Sequence, residues 1–330
     1  MANRLELVYG NSQSGKSTWG LQIAENLWVK HGLKTRWYLG DGGGATIYDS
    51  GLVEEGAIEV LQFNIRDNPF ATMQLCAQGY WPVDVEDPKS PLLPTKDFGP
   101  FGLTVFEGLS VGCDYMMGDQ KGGLADRAAQ GEKIGQDAPY IVSEGGMKFG
   151  GNPPSHYGFT QRRLISLIER TRALPVGFVL WTAHQRKAED SDLKGVFEFG
   201  PDCAGQALTS KIGAYFGNTI HMHQVVVKTK TRDALTGKDI EVLKIERRAY
   251  TRKHADPEGQ TGIKYYANSR IPVAFAQEMP EYLTPPDAIR FYAILEDAKA
   301  KNRLAIMQAR RDAEAAESQR MIKDLSELGK

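Results

Sequence analysis

The chain reads as an α/β fold: a mainly parallel sheet flanked by helices, with a β-hairpin and a C-terminal helical tail. Three observations carry that reading. Apolar, strand-like runs alternate with segments of helical periodicity along the chain. The run Val176-Gly177-Phe178-Val179-Leu180-Trp181-Thr182-Ala183-His184 is apolar almost throughout, as a parallel strand covered on both faces has to be. Finally, Gly10-Asn11-Ser12-Gln13-Ser14-Gly15-Lys16-Ser17 lies between a short strand and a helix, the setting of a phosphate-binding turn. Residues 1–284 are assigned to the α/β domain and 285–330 to the tail, with Pro285 and Pro286 at the break.

The turn fits G-x-x-x-x-G-K-[ST] at every fixed position, with Leu5–Tyr9 as the strand before it and Trp19–Val29 as the helix after it. Two glycines let the backbone wrap closely, so that N–H groups and the positive end of the helix point at phosphates. Lys16 would reach the β- and γ-phosphates, and Ser17 would place its hydroxyl on Mg2+. Thr18 can cap or pack. The expected ligand is ATP with Mg2+, held by Gly10, Asn11, Ser12, Gln13, Ser14, Gly15, Lys16, Ser17 and Thr18.

At 330 residues the chain can bury a sizeable core in one large domain with an appendage. Charged residues make up 25% and the formal net charge is -1, so nucleic acid is not attracted globally and any such binding must come from local patches. Cys76, Cys113 and Cys203 lie far apart without CxxC spacing, which argues against a zinc finger or a disulfide framework and fits a reducing compartment. No apolar run approaches about 18 residues, and the N-terminus lacks a charged region followed by an apolar core. The expectation is a soluble cytoplasmic protein without a membrane partner.

Lys34–Leu39 reads as the second strand and ends in Gly40-Asp41-Gly42-Gly43-Gly44. A carboxylate there faces the crevice where α/β sheets bind ligands, which makes Asp41 a site candidate; the alternative is a turn residue among glycines. A strand over Ala57–Phe63 and a helix over Phe70–Gln78 follow. Prolines 82, 88, 91, 94 and 100 make the stretch to Pro100 a surface excursion. Phe101–Glu107 is then an apolar strand closed by a carboxylate, a Walker B pattern in which the acid serves the magnesium shell or its water. Glu107 stands where aspartate is usual, which carries the carboxylate about 1.5 Å further out; the alternative is a solvated glutamate.

Val111–Pro154, punctuated by glycine pairs, reads as a long mobile loop with at most a short helix at Leu124–Ile134. An amphipathic helix over Gly158–Ala173 leads into the apolar strand, whose polar end offers Thr182 and His184 as partners for the γ-phosphate or the attacking water, or as structural groups. Gln185–Asp202 reads as a polar loop, Cys203–Tyr215 as a helix and Asn218–Val227 as a strand. His221 and His223 share a face of that strand, but two ligands do not make a metal site, and the pair reads as a polar strand face. From Lys228 to Lys253 two extended runs flank Asp233–Asp239 as a hairpin with nine basic and four acidic residues, a balance of +5. Such a ribbon suits a DNA backbone, or is simply solvated. Asp287–Leu328 reads as one long helix or two shorter ones.

Taken together, the Walker A turn, the Asp41 strand end, the Walker B strand and the Trp181-Thr182-Ala183-His184 strand end resemble phage-encoded P-loop ATPases of the AAA/RecA-like type, including RecA-like single-strand annealing recombinases. The resemblance covers residues 4–270 in order of elements. It implies a RecA-like P-loop NTPase fold, a homo-oligomer, single-stranded DNA as partner, and a host cytoplasmic location. It further implies that Asp41 activates the attacking water while Glu107 serves Mg2+, and that the loops Val111–Pro154 and Gln185–Asp202 face DNA. A basic residue reaching a neighbour's site would be Arg252, Lys253 or Arg270. Hydrolysis of ATP coupled to DNA binding or recombination is therefore expected. The other readings are a nucleotide-dependent scaffold or DNA-binding module without turnover, and a small-molecule kinase.

Overall fold

The computed structural model describes residues 4–40, 44–63, 66, 68–95, 101–129, 141–144, 147–150, 154–189, 197–209, 211–232, 239–257, 259 and 262–328. They divide into two units, Met1–Ser269 with Glu281–Ala288, and Arg270–Pro280 with Ile289–Lys330. In chain order the first unit holds β1 (Arg4–Gly10), α1 (Lys16–His31), β2 (Lys34–Leu39), the single turn α2 (Ala45–Tyr48), β3 (Ile58–Gln62), α3 (Pro69–Cys76), β4 (Tyr80–Pro82) and β5 (Leu92–Pro94). It continues with β6 (Phe101–Glu107), α4 (Leu109–Ala129), β7 (Ile141–Glu144), β8 (Met147–Gly150), α5 (Pro154–Thr171), β9 (Phe178–Ala183), β10 (Gln185–Glu189) and β11 (Phe197–Pro201). The short α6 (Gln206–Thr209) and a 3-10 turn (Ile212–Tyr215) precede β12 (Asn218–Arg232), β13 (Asp239–Tyr250), β14 (His254–Ala255), β15 (Ile263–Tyr265) and β16 (Tyr282–Leu283).

Eight strands form one sheet in the order β16-β13-β12-β1-β9-β6-β2-β3. The six from β12 to β3 run parallel, and β13 and β16 close one edge antiparallel. The register decides where a site can form: Tyr9 lies beside Ala183, Glu107 beside Thr182, and Leu39 beside Glu107. The carboxyl ends of β1, β9, β6 and β2 therefore lie side by side along one rim, the place where open α/β sheets bind ligands.

Because side chains alternate across a strand, the two faces have different cores. One face buries Leu5, Leu7, Tyr9, Tyr38, Phe106 and Trp181 in a cluster that also takes Leu109, Cys113 and Met116 of α4 and Leu164, Leu167 and Ile168 of α5. Tyr38, Phe106 and Trp181 stack across three strands, with centroids 4.5 and 4.3 Å apart. The other face carries Trp37, Leu180 and Glu107 and is covered by α1. Gly20 permits that approach, since a Cβ there would stand 2.8 Å from Trp37 Cη2. Helix α1 ends where Gly32 turns left-handed (φ 64) and Gly32 N–H and Leu33 N–H donate back to Trp28 and Leu27 carbonyls, satisfying the last turn.

Several segments differ from the sequence reading. Val111–Pro154 is not a loop with a short helix: its described residues form most of the 21-residue helix α4 and the antiparallel pair β7–β8. Glycines 112, 118, 122 and 123 hid the helix, yet Leu109, Cys113, Met116 and Met117 recur at helical spacing and are buried. Gly112 lies where α4 meets α3, since a Cβ there would stand 2.8 Å from Met73 Cε. Gln185–Asp202 is likewise not simply a loop, because β10 and β11 pair antiparallel and join β15 and β14 in a second, four-stranded sheet. The helix expected over Cys203–Tyr215 is broken into α6 and the 3-10 turn. The strand expected to end at Val227 runs on to Arg232 and pairs with β13 over twelve positions, so the hairpin and the sheet edge are one ribbon.

The second unit contains a 3-10 segment (Val273–Glu278) and all but the first residue of α7 (Ala288–Leu328). Lys301 ties the two together, its amine 3.0 Å from Glu278 and 2.7 Å from Asp297. Residues 303–319 of α7 are exposed on every side. Among the described residues no helix is long and apolar enough to cross a membrane.

Candidate functional site

The loop between β1 and α1 has the backbone that its glycines anticipate. Gly15 is left-handed (φ 107) and leads directly into α1, and no side chain caps that helix start. The first N–H groups of α1 and the positive end of its dipole consequently face the loop. Ser14 N–H closes the turn on the Asn11 carbonyl at 3.3 Å. Gln13 is the sole described residue other than glycine with a positive φ, 61°.

Lys16 is buried, and its amine donates to the carbonyls of Asn11 (2.9 Å) and Gly10 (3.3 Å). Ser17, one residue on, donates its hydroxyl to Glu107 Oε1 at 2.5 Å. Register explains the meeting. Ser17 is in the first turn of α1 beyond β1, and Glu107 closes β6 on the face that α1 covers. The other oxygen, Oε2, accepts the Trp37 indole N–H at 2.7 Å. Glu107 is thus a buried carboxylate, 4% exposed, aimed at the start of α1, and not the solvated strand-end glutamate of the alternative reading.

Lys16, Ser17, Glu107 and His184 line one cleft of about 1130 Å3, together with Arg247 and Thr284. His184 follows β9, the strand between β1 and β6. Its backbone is locked there: its N–H donates to Ser110 Oγ at 3.1 Å, Ser110 donates to the Asp202 carbonyl at 2.9 Å, and Asp202 N–H donates to the His184 carbonyl at 2.6 Å. Thr182 has a different post. Its buried hydroxyl oxygen accepts Gly108 N–H at 3.2 Å and so fixes the turn after Glu107. Asp41 lies outside the described residues, though the strand leading to it, β2, ends beside Glu107. Arg252 is exposed, Lys253 pairs with Glu198 at 2.7 Å, and Arg270 belongs to the second unit.

The donor set suits a magnesium-bound polyphosphate. A serine hydroxyl and a carboxylate are hard oxygen ligands, and no group of three or more His, Cys, Asp or Glu able to hold a metal occurs among the described residues. Mg2+ is commonly held by one or two protein oxygens with water and phosphate completing its shell. Ser14 Oγ, fully buried without a hydrogen-bond partner among the described residues, is a further polar atom under the loop.

Two contributions to the cleft had no signal in the sequence. One is Trp37. The other is the cross-strand pair Gln224 and Arg247, which both donate to the Gln13 carbonyl, at 2.8 and 3.2 Å, from 211 and 234 positions away. Only the pairing of β12 with β1 brings them there.

Of the histidine pair, His221 is fully buried between the rings of Tyr9 and Tyr265, at 4.8 and 4.6 Å. Both of its nitrogens are engaged: Nδ1 lies 2.9 Å from His254 Nε2, and Nε2 lies 3.1 Å from the Gln185 amide. His254 Nδ1 faces the Ala255 carbonyl at 2.7 Å, so it carries the proton, His254 Nε2 accepts from His221 Nδ1–H, and a neutral His221 is completed by a Gln185 amide turned to donate. Burial, reinforced by His254 and His223, pushes His221 well below the usual histidine range, and burial lowers His254 to about 4.

No protein-family model matches the chain, and no curated protein matches it in sequence.

Proposed function

We propose that the chain is a P-loop NTPase of RecA-like type that binds and hydrolyses Mg-ATP. One observation carries the reading: the Ser17 hydroxyl and the Glu107 carboxylate, 90 positions apart, meet at 2.5 Å in the cleft that also holds Lys16. A loop that matched the motif by chance would have no reason to face a buried carboxylate from the strand two places away in the sheet. In this reading the N–H groups at the start of α1 and Lys16 hold the phosphates. Ser17 and Glu107 hold Mg2+, which when bound neutralises phosphate charge and aligns the terminal group. Glu107 or Asp41 takes the proton of the attacking water, and His184, at the end of the strand between β1 and β6, follows the terminal phosphate.

Coupling to single-stranded DNA, in a homo-oligomer in the cytoplasm, is the partner reading. It is supported by Lys228, Lys230 and Arg232, alternate exposed residues on one face of the β12–β13 ribbon. ATP hydrolysis by purified protein with and without single-stranded DNA, alongside Lys16→Ala, tests both parts. A slow basal rate stimulated by DNA and abolished by the substitution is expected. Hydrolysis indifferent to DNA removes the coupling and leaves the ATPase.

A nucleotide-dependent scaffold without turnover is favoured by one feature. Both Glu107 oxygens already accept hydrogen bonds, from Ser17 and Trp37, so the carboxylate is engaged by the protein before any water reaches it. Nucleotide binding without any hydrolysis would select this second reading.

A further inference from the structure

Arg247 occupies an unusual position for an exposed strand residue. Gly10 is level with Met222, so β12 continues alongside the loop, and two residues on comes Gln224, whose partner across the ribbon is Arg247. Arg247 Nε and Gln224 Nε2 share the Gln13 carbonyl and so hold a left-handed conformation that glutamine rarely adopts. The Arg247 side chain also crosses the loop just before Lys16, with its Cδ 3.8 Å from where a Cβ on Gly15 would stand.

Nε serves the loop, whereas the two terminal nitrogens of the guanidinium have no partner among the described residues. Neighbouring cations do have partners: Arg248 pairs with Glu246 at 2.8 Å, and Lys253 with Glu198. An unpaired planar fork beside a buried ammonium, over a phosphate-type loop, is complementary to a polyanion with tetrahedral oxygens.

We infer that Arg247 binds the polyphosphate of the nucleotide from within the same chain, while its Nε holds Gln13. This rests on the nucleotide-site reading given above. It gives the β12–β13 ribbon a direct link to the bound phosphates.

The test measures binding of a fluorescent ATP analogue, and its displacement by inorganic tripolyphosphate, at low and high salt. Wild type, Lys16→Ala, Arg247→Ala, Arg247→Lys and Gln224→Ala are compared, with melting curves to show that each variant is folded. Arg247→Ala is expected to weaken both probes by on the order of tenfold to a hundredfold and to flatten the salt dependence. Arg247→Lys keeps the charge but loses the planar fork and the Nε bond to Gln13, so it is expected to keep the wild-type salt dependence and to recover only part of the affinity. Gln224→Ala removes the other donor to Gln13 but no charge, and keeps the wild-type salt dependence. Equal weakening by Arg247→Ala and Gln224→Ala with unchanged salt dependence would reduce Arg247 to a support for the loop and overturn the inference. So would wild-type binding by Arg247→Ala while Lys16→Ala binds nothing; in both cases the nucleotide reading stands. A wild type that binds neither probe overturns the nucleotide reading itself.

Discussion

Trp37 and Glu107 lie on one face of two neighbouring parallel strands, and the indole N–H donates to the carboxylate across 2.7 Å in a buried setting. The bond holds the acid toward the start of α1, where Ser17 takes its other oxygen. Trp37→Phe keeps most of the packing and removes that donor. A buried carboxylate that loses a partner costs about 1.5–3 kcal/mol, so urea unfolding should show a loss of that size. An unchanged midpoint would mean that Trp37 contributes shape alone.

The His221–His254 pair makes stability depend on pH with a definite sign. Both groups are neutral in the fold because burial depresses them, His254 to about 4 and His221 well below the usual histidine range. Unfolded histidine titrates near 6.5, so below that pH the unfolded chain takes up protons that the fold refuses. Their contribution is complete above about pH 6.5 and is lost as pH falls toward 4, each group adding a slope of up to about 1.4 kcal/mol per pH unit. His254→Gln, measured by urea melts between pH 7.5 and 5, should remove roughly half of that slope. A variant with the wild-type slope would place the proton uptake elsewhere.

The ribbon's basic face separates specific from incidental charge. Replacing Lys228, Lys230 and Arg232 with glutamine should lower the log–log salt slope of single-stranded DNA binding by about 0.7 for each phosphate that is no longer neutralised. These side chains are exposed, and the ion pair of Lys228 with Glu241, at 4.0 Å, is too exposed to matter for folding. The free energy of unfolding should therefore change by no more than about 0.5 kcal/mol per substitution. An unchanged salt slope removes the ribbon from the interface.

How much of this was legible in the sequence depended on how local each signal is. The loop, β1, α1, β6 and β9 announce themselves because a motif and a near-continuous apolar run are properties of consecutive residues. Helix α4 was legible in principle, since Leu109, Cys113 and Met116 keep helical spacing, but four glycines in the same stretch outweighed them. The pair β10–β11 was concealed for another reason: Gln185, Arg186 and Lys187 are polar residues on the edge strand of a small sheet whose two further strands come from residues 254–265. The bonds that finish the site, Trp37 to Glu107 and Arg247 to Gln13, join residues 70 and 234 positions apart, and no local pattern encodes them.

The most direct test of the central claim pairs two measurements on one variant. Wild type and Glu107→Gln are assayed for ATP binding and, on the same samples, for Mg2+-dependent hydrolysis. Glutamine preserves shape and a hydrogen bond with Ser17 while removing the charge. Glu107→Gln should bind ATP within a few-fold of wild type and hydrolyse it at least about a hundredfold more slowly. Hydrolysis at the wild-type rate by Glu107→Gln would contradict the account.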